Sequence, residues 1–304
     1  MKKKRGALYY LKRDFWLYLC VLPVIVYYVV FKYLPMAGIV MAFQDYNIFK
    51  GVLGSKFVGL ENFVKIWKSQ QFWNSVRNTL VLNLATLAAS FPLTIALALM
   101  LNELRAVKFK RVSQSLLYLP HFISWVVVAG IAQNMFNMSN GTVNKVLESI
   151  GGGPVPFLSN NGWWIFTYIL CNIWKEIGWG TIIYLAALTG VDESLYEAAY
   201  LDGATRIQRI RYITLPMIKS VAVTMLILNV SSMMSIGLDA PLLLGNTKVM
   251  AISEVISTYV YRLGIEKAQY DLATAIGLFQ SLVNIIILVI VDRIAKCMGE
   301  EGIL

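Results

Sequence analysis

Long apolar runs alternate with short charged segments along the whole chain. Six of the runs are long enough to cross a bilayer as helices, which requires about 20 mostly apolar residues. They cover approximately residues 15–35, 76–101, 113–135, 163–188, 217–238 and 272–294. Pro23, Pro92 and Pro120 fall inside them, where neighbouring helices can satisfy the backbone groups that a proline leaves unpaired. The pattern predicts an all-α integral membrane protein with six transmembrane helices.

The composition indicates that lipid rather than water surrounds most of the chain. Apolar residues make up 58% of the sequence and charged residues only 14%, whereas a soluble domain carries about 25% charged residues. The net charge of +10 would indicate a nucleic-acid partner if the basic residues clustered on one folded face. They lie instead in short runs beside the apolar spans, so we expect contact with membrane lipid and no nucleic acid.

The distribution of lysine and arginine predicts which side of the membrane each segment faces. With both termini placed inside, the inner segments carry sixteen of these residues and the three outer loops carry eight. Because inner segments are enriched in Lys and Arg, we predict a cytoplasmic N-terminal segment at 1–14 and a cytoplasmic tail at 299–304. The transmembrane domain then covers 15–298 and includes a cytoplasmic loop at 191–216. The first apolar run is too long for a cleaved signal peptide.

The residue patterns that enzymes and ATPases require do not occur in the sequence. There is no phosphate-binding G-x-x-x-x-G-K-[ST] motif, so we expect no ATP or other cofactor on this chain itself. The single histidine, His121, has no histidine–carboxylate motif around it, and we interpret it as a packed hydrogen-bonding group. Cys20, Cys171 and Cys297 lack metal-binding spacing. An intramembrane enzyme would need a nucleophile with a base, or a metal-ligand set, so we predict neither catalysis nor a metal site.

The charged loop at 191–216 predicts two short helices outside the bilayer. Asp192 is a good N-cap for a helix over about 193–201. Gly203 suits the left-handed residue that ends such a helix, and a second helix is predicted from about Ala204. An alternative is an amphipathic connector on the lipid surface, but the acidic residues of the first helix would be repelled by anionic headgroups.

The same loop carries a recognisable motif. The stretch "EAAYLDGA", with "ITLP" ending at Pro216, resembles the EAA signature of binding-protein-dependent ABC importer permeases. In that family the loop is the coupling helix, which docks into a groove of the cytoplasmic ATPase. The resemblance implies a coupling role for these matching residues: Glu197, Ala198, Ala199, Asp202, Gly203, Ile213, Leu215 and Pro216.

Further stretches extend the resemblance over almost the whole chain. "FVGLENF", "LYLPHFISWVVVAGI" and "WKEIGWGTIIYLAAL" are similar to MalF-like carbohydrate permeases, and in particular to their LplB-type oligo- and polysaccharide subgroup. The resemblance implies the type I ABC importer permease fold and import of a carbohydrate, such as an oligosaccharide or polysaccharide fragment, by alternating access. It also implies a bacterial cytoplasmic membrane, a second homologous permease in a heterodimer, two ATPase subunits that bind ATP and Mg, and an extracellular or periplasmic sugar-binding protein.

Polar residues inside the predicted spans are candidates for the substrate pathway. Transporter sites lie near the bilayer midplane, and polar groups there are costly. The candidates are Gln133, Asn134, Asn172, Trp174, Lys175, Glu176, Trp179, Asn229, Ser232, Gln280 and Asn284. The alternative is that such groups only bond neighbouring helices. Lys175 and Glu176 are adjacent, so we expect them to project in different directions without forming a direct pair.

A self-contained channel or secondary transporter for a small polar solute is the main alternative function. The EAA-like motif argues against it, because a coupling helix has no use without an ATPase. The sequence also lacks an evident pair of broken spans in corresponding positions, which would favour a secondary transporter.

Overall fold

A computed structural model of the chain describes residues 13–104 and 106–297, together with Gly299 and Gly302. The predicted N-terminal segment and tail lie almost wholly outside the described residues. The described chain is mostly helical and divides into two compact units. One contains the described residues up to Ile66 together with Leu263–Leu278, and the other contains Trp67–Arg262 and the described residues from Phe279 onward.

The first unit begins with a long apolar helical segment. Helix α1 (Phe15–Tyr28) continues through a π-helical turn (Val29–Tyr33), an α-helical turn (Leu34–Met36) and a 3-10 helix (Ala37–Phe43). Its large apolar side chains are exposed within the chain, as expected for a helix in lipid. The first predicted span is therefore longer than 15–35 and reaches Phe43.

A small hairpin follows α1 in this unit. Strand β1 (Gln44–Asp45) pairs antiparallel with β2 (Lys56–Phe57), and helix α2 (Glu61–Lys68) comes next. The buried Asn62 fixes this arrangement, because its Nδ2 donates to the carbonyl oxygens of Ala42 at 3.0 Å and Gln44 at 2.8 Å.

The second unit contains most of the remaining helices. They include α3 (Gln70–Asn102), α4 (Val107–Tyr118), α5 (Trp125–Phe136), α6 (Thr142–Ser149), α7 (Asn161–Thr189), α8 (Glu193–Leu201), α9 (Arg206–Arg209), α10 (Lys219–Ser231), α11 (Asp239–Leu244) and α12 (Ile256–Tyr261), with α13 (Tyr270–Cys297) entering from the first unit. A further helical turn (Met250–Ser253) lies between α11 and α12. The two longest helices, α3 and α7, pack against each other. A side chain caps the N-terminus of each of these two helices. Ser69 Oγ accepts the Phe72 N–H at the start of α3, and Asn160 Oδ1 accepts the Gly162 N–H at the start of α7, which satisfies backbone donors that have no partner within the helix.

Among the residues that the structure describes, three helical segments are long and apolar enough to cross a membrane: Phe15–Phe43, Gln70–Asn102 and Tyr270–Cys297. They agree with the first, second and sixth predicted spans. Helix α7 contains the fourth predicted span. Its 29 residues would extend for about 43 Å at about 1.5 Å per residue, and it carries tryptophans, tyrosines and the pair Lys175–Glu176 within its length.

The third predicted span contains a bend, and a second bend lies at the start of the fifth predicted span. Val107–Phe122 meets α5 at 99°, and Arg206–Met217 meets α10 at 61°. Pro120 lies in the 3-10 turn (Leu119–Phe122) just before the first break, and its missing N–H cannot continue an α-helix there. Ser124 then starts α5 by accepting the Val127 N–H. Helix α10 ends at Ser231, seven residues before the predicted end of the fifth span at Leu238.

The apolar interior of the second unit is organised around α3 and α7. One cluster surrounds Trp164, which is fully buried and donates its Nε1–H to the Leu244 carbonyl at 2.9 Å. A second cluster contains Leu101, Tyr184 and Ile218. Between these two clusters the backbone of α4 is in direct contact with α7. A Cβ added to Gly178 would overlap the Leu117 carbonyl, so only glycine permits this contact without displacement of the backbone.

Candidate coupling segment and substrate pathway

Helix α8 begins and ends as the sequence predicts. The Asp192 carboxylate accepts the Ser194 N–H at 2.9 Å, and this hydrogen bond lowers the pKa of Asp192 because it stabilises the charged form. At the other end Gly203 has φ +76°. The Ala204 N–H donates to the Ala199 carbonyl at 2.9 Å, a pattern that closes a helix around a left-handed glycine.

The second helix of the loop is shorter and less regular than predicted. It begins at Arg206 rather than Ala204, because Thr205 and Gln208 form a capping box. A π-helical turn (Ile210–Thr214) follows α9, and Leu215–Met217 forms one further α-helical turn. The π-helical turn changes which side chains share a face. Of the matched motif residues here, Ile213 is half-buried whereas Leu215 and Pro216 are exposed.

The exposed face of α8 combines apolar groups with a carboxylate. Tyr200 is 70% exposed and Leu201 is 85% exposed. Together with Tyr196, Glu197 and Arg209 they line a shallow hollow of about 440 Å³. Within the described chain no ion pair to Glu197 is present.

The other matched residues of α8 are small or exposed. Ala198 and Asp202 are exposed, and Ala199 is half-buried. Two contacts connect this surface to the rest of the unit. Tyr196 Oη lies 3.0 Å from Thr214 Oγ1, and Arg206 Nε donates to the Glu103 carboxylate, beside the end of α3, at 2.6 Å.

A cavity of about 340 Å³, with both apolar and polar side chains in its wall, lies among α3, α7 and α10. Its lining residues are Leu87, Ser90, Phe91, Thr94, Glu176, Ile177, Trp179, Gly180, Ile183, Tyr184, Met225 and Asn229. A second cavity of about 230 Å³ is lined by Asn83, Thr86, Leu87, Ser90, Asn229, Ser232, Met233 and Ser235. Because Leu87, Ser90 and Asn229 line both, the two cavities are neighbouring parts of one polar groove.

A charged cluster joins one wall of this groove to the break in the third predicted span. The Lys175 ammonium donates to the His121 carbonyl at 2.5 Å and lies 3.5 Å from Glu176 Oε1. His121 Nδ1 lies 2.7 Å from Glu176 Oε2. The expectation that Lys175 and Glu176 do not pair is therefore wrong. Their side chains are long enough for the terminal groups to meet although their Cβ atoms diverge.

Aromatic rings complete the surroundings of this cluster. The His121 ring stacks on Trp179 with 4.5 Å between ring centroids and 4° between planes. The Lys175 side chain is 7% exposed, and its ammonium lies 5.9 Å from the centre of the Trp125 ring. A buried ammonium is costly unless it is paired and hydrogen-bonded. Here a carboxylate, a carbonyl and an aromatic face compensate it. His121 is thus a packed hydrogen-bonding group, as the sequence indicates.

The structure brings only some of the predicted pathway residues together. Glu176, Trp179, Asn229 and Ser232 line the groove. Gln280 Nε2 donates to the Met234 carbonyl at 2.8 Å, and Asn284 Nδ2 donates to Ser235 Oγ at 2.8 Å. Gln280 and Asn284 therefore support the segment that follows α10 and carries Ser235 into the groove wall.

The other predicted pathway residues lie elsewhere. Asn172 Nδ2 donates to the Tyr168 carbonyl of its own helix at 2.8 Å. Trp174 lines a separate, apolar cavity of about 300 Å³ between α5 and α7. Gln133 and Asn134 are exposed near the end of α5, and neither lines the polar groove.

Sequence reasoning missed a stripe of polar residues on α3. Asn83, Thr86, Ser90 and Thr94 recur every three or four residues within an apolar run, so they share one face of the helix. That spacing is visible in the sequence and could have identified them. Asn83 Nδ2 also donates to the carbonyls of Met233 at 2.6 Å and Ser235 at 3.1 Å, which holds the two walls of the second cavity together.

Comparison with known proteins places the chain in a family. Residues 90–299 match the family described as binding-protein-dependent transport system inner membrane component. The chain is 44% identical to the polygalacturonan/rhamnogalacturonan transport system permease protein YteP of Bacillus subtilis strain 168, over 99% of this chain and 94% of YteP. It is 41% identical to the protein LplB of the same organism, over 96% of this chain and 92% of LplB.

A solved structure resembles the whole fold. It is a bacterial ABC transporter involved in the import of the acidic polysaccharide alginate, with a TM-score of 0.88 and 38% identity. The match covers 97% of this chain and all of the other chain. The bent helices remove one argument against a self-contained transporter, but these matches decide the question independently. The chain belongs to the binding-protein-dependent transport system inner membrane components, as a multi-pass ABC importer permease of the LplB-type sugar-transport subgroup and not an enzyme.

Proposed function

We propose that this chain forms half of the membrane pathway of an importer that brings an acidic oligosaccharide into a bacterial cell. A second, homologous permease supplies the other half in a heterodimer. The similarity to YteP supports an acidic substrate, because polygalacturonan is a polymer of a uronic acid. The similarity to a transporter of the acidic polysaccharide alginate supports it as well. A neutral oligosaccharide is the second candidate, because Glu176 is the one charged group among the described groove-lining residues and the hydroxyl and amide groups beside it are uncharged.

The polar groove among α3, α7 and α10 is the observation that carries this proposal. Polar groups inside a membrane bundle are costly, so a concentration of them suggests a substrate path. Ser90, Asn229 and Ser232 offer the hydroxyl and amide groups that bond sugar hydroxyls. The half-exposed ring of Trp179 offers an apolar face for the C–H groups of a sugar ring. The second permease would close the open side of the groove.

The loop containing α8 and α9 would connect this pathway to ATP hydrolysis. Glu197, Tyr200 and Leu201 form an exposed surface with both charge and apolar area, which suits a groove on a partner protein. In this proposal two cytoplasmic ATPase subunits bind ATP and Mg and receive the loop. A sugar-binding protein delivers substrate on the outer side of the bacterial cytoplasmic membrane.

The membrane topology in this proposal has six spans with both termini in the cytoplasm. The three long apolar segments account for the first, second and sixth spans, and α7 accounts for the fourth. The bent pair Val107–Phe122 and α5 then forms the third span. Helix α10 with the residues that follow it forms the fifth, and Arg206–Met217 belongs to the cytoplasmic loop before it. Freed backbone groups at the bends are acceptable at membrane depth where protein contacts satisfy them, as the Lys175 contact to His121 does at the first bend.

Reconstitution tests the proposed function. The two permeases and the ATPase would be assembled in proteoliposomes with the binding protein and radiolabelled trigalacturonate. We expect uptake that requires ATP, the ATPase and the binding protein together. Uptake that continues without ATP would identify a self-contained transporter. ATP-dependent uptake of neutral maltotriose without uptake of trigalacturonate would favour the neutral substrate class.

A further inference from the structure

Glu176 presents an electrostatic difficulty for an acidic substrate. It is the one charged residue among the described residues that line the two cavities of the polar groove. Its side chain is 47% exposed, so its carboxylate faces any molecule in the groove. A uronic acid carries its own carboxylate, and like charges repel more strongly where water is largely excluded. An acidic oligosaccharide therefore needs this charge to be compensated.

Each oxygen of the Glu176 carboxylate has a different partner that offsets its negative charge. Oε1 lies 3.5 Å from the Lys175 ammonium, and Oε2 lies 2.7 Å from His121 Nδ1. The Nδ1–H donor is available in the protonated imidazole and in one tautomer of the neutral ring. Lys175 is buried and lines neither cavity, so its charge acts on the groove through Glu176.

The position of His121 is itself fixed from three directions. Its ring stacks on Trp179, its carbonyl accepts from Lys175, and its backbone lies in the 3-10 turn Leu119–Phe122 at the bend. The contact of α4 with Gly178 holds this turn close to α7. These contacts place the imidazole beside the Glu176 carboxylate rather than in the groove.

We propose that Lys175 and His121 neutralise Glu176 so that this wall of the groove accepts an acidic oligosaccharide, with His121 as the positioning residue of the Glu176 carboxylate. The carboxylate then remains a hydrogen-bond acceptor for sugar hydroxyls without repelling uronate groups. This inference rests on the proposed import of an acidic oligosaccharide.

The test compares two probes with the same sugar backbone, one charged and one neutral. They are trigalacturonate and its fully methyl-esterified, neutral form. Initial uptake rates would be measured in proteoliposomes containing the complete transporter, with ATP in excess and with saturating amounts of binding protein loaded with each probe. At saturation the rate reports steps in the membrane domain, so the ratio of the two rates measures discrimination by charge.

Substitutions at the cluster give opposite expectations for this ratio. His121→Phe keeps a ring that can stack on Trp179 but removes the donor to Glu176. We expect it to lower the ratio of trigalacturonate to ester uptake roughly tenfold, as for the loss of one hydrogen bond to a charged group. Adding Glu176→Gln to His121→Phe should restore the ratio, because no carboxylate of the protein then faces the uronate groups. His121→Gln, which keeps an N–H donor, should retain more of the wild-type ratio than His121→Phe.

Assembly of each variant would be checked by co-purification of both permeases with the ATPase. Glu176→Gln alone gives a second test that does not require any His121 variant to assemble, and we expect it to raise the ratio above that of the wild type. An unchanged or lowered ratio with Glu176→Gln would overturn the proposal. Equal loss of both probes with His121→Phe, without restoration in the double variant, would also overturn it. Wild-type uptake of neither probe would instead contradict the proposed function.

Discussion

At the scale of single residues, Gly203 determines how the chain turns between α8 and α9. Its φ of +76° is a left-handed conformation, which costs about 1–2 kcal/mol for a residue with a side chain. We expect Gly203→Val to disturb the loop and to reduce the amount of ATPase that co-purifies with the permease. Gly203→Asn is the matched control, because asparagine tolerates this conformation better. Equal ATPase retention by both variants would show that the turn has no part in coupling.

Substitutions of Glu197 test the exposed surface of α8 rather than the turn at Gly203. Glu197 is exposed, and no ion pair to it is present within the described chain, so its partner is expected on the ATPase. A buried charge opposite a like charge is worse than a missing charge. We therefore expect Glu197→Lys to weaken ATPase retention and uptake more than Glu197→Ala does. If both variants retain the ATPase and import normally, the surface around Glu197 is only a connector.

The role of a single residue could be predicted from the sequence where it depends only on the neighbouring backbone. The cap at Asp192 and the left-handed turn at Gly203 depend on the backbone of their own segment, so the sequence predicts both. The Lys175–Glu176 pair could not be predicted from helical spacing. Its geometry depends on His121, which lies 54 positions away in sequence from Lys175 and anchors both side chains.

At the scale of elements, the contact between α4 and α7 depends on Gly178. A methyl group there would overlap the Leu117 carbonyl, and overpacking of this kind costs about 1–3 kcal/mol. We expect Gly178→Ala to lower the thermal stability of the purified complex, measured by fluorescence-detected size-exclusion chromatography after heating. Gly130→Ala on α5 is the control, because a Cβ there meets no atom within 4 Å. Equal melting temperatures for the two variants would contradict direct backbone packing.

The elements themselves divide into those that apolar patterning predicts and those that it does not. Helices α3, α7 and α13 extend beyond their predicted spans by a few residues. Hydrophobicity predicts only the apolar part of each helix, and the polar residues at the helix ends lie outside that part. The bend between α4 and α5 was not predicted. Pro120 signals it, but a proline within an apolar run is also compatible with a continuous helix whose neighbours satisfy the freed groups.

At the scale of the whole molecule, the proposed topology can be tested by labelling with a membrane-impermeant maleimide. The exposed native cysteines Cys20 and Cys297 would first be replaced by serine. In right-side-out vesicles we expect Ser139→Cys and Thr247→Cys to react, since both residues are exposed and lie in predicted outer loops. Ser194→Cys on α8 should react only after the membrane is permeabilised. The opposite labelling pattern would rule out a topology with both termini inside.

The central claim is that the groove among α3, α7 and α10 is a pathway whose access changes with ATP. Ser90 lines both of its cavities, so Ser90→Cys in the complete transporter reports on it directly. The measurement is the rate at which this cysteine reacts with a small hydrophilic thiol reagent, in the nucleotide-free transporter and after ATP hydrolysis has left ADP and vanadate trapped in the ATPase. Ala88→Cys, exposed but outside the groove lining, is the control. We predict that trapping changes the rate several-fold at position 90 and leaves position 88 unaffected. A cysteine at position 90 that is unreactive in both states, or equally reactive in both, would contradict the account.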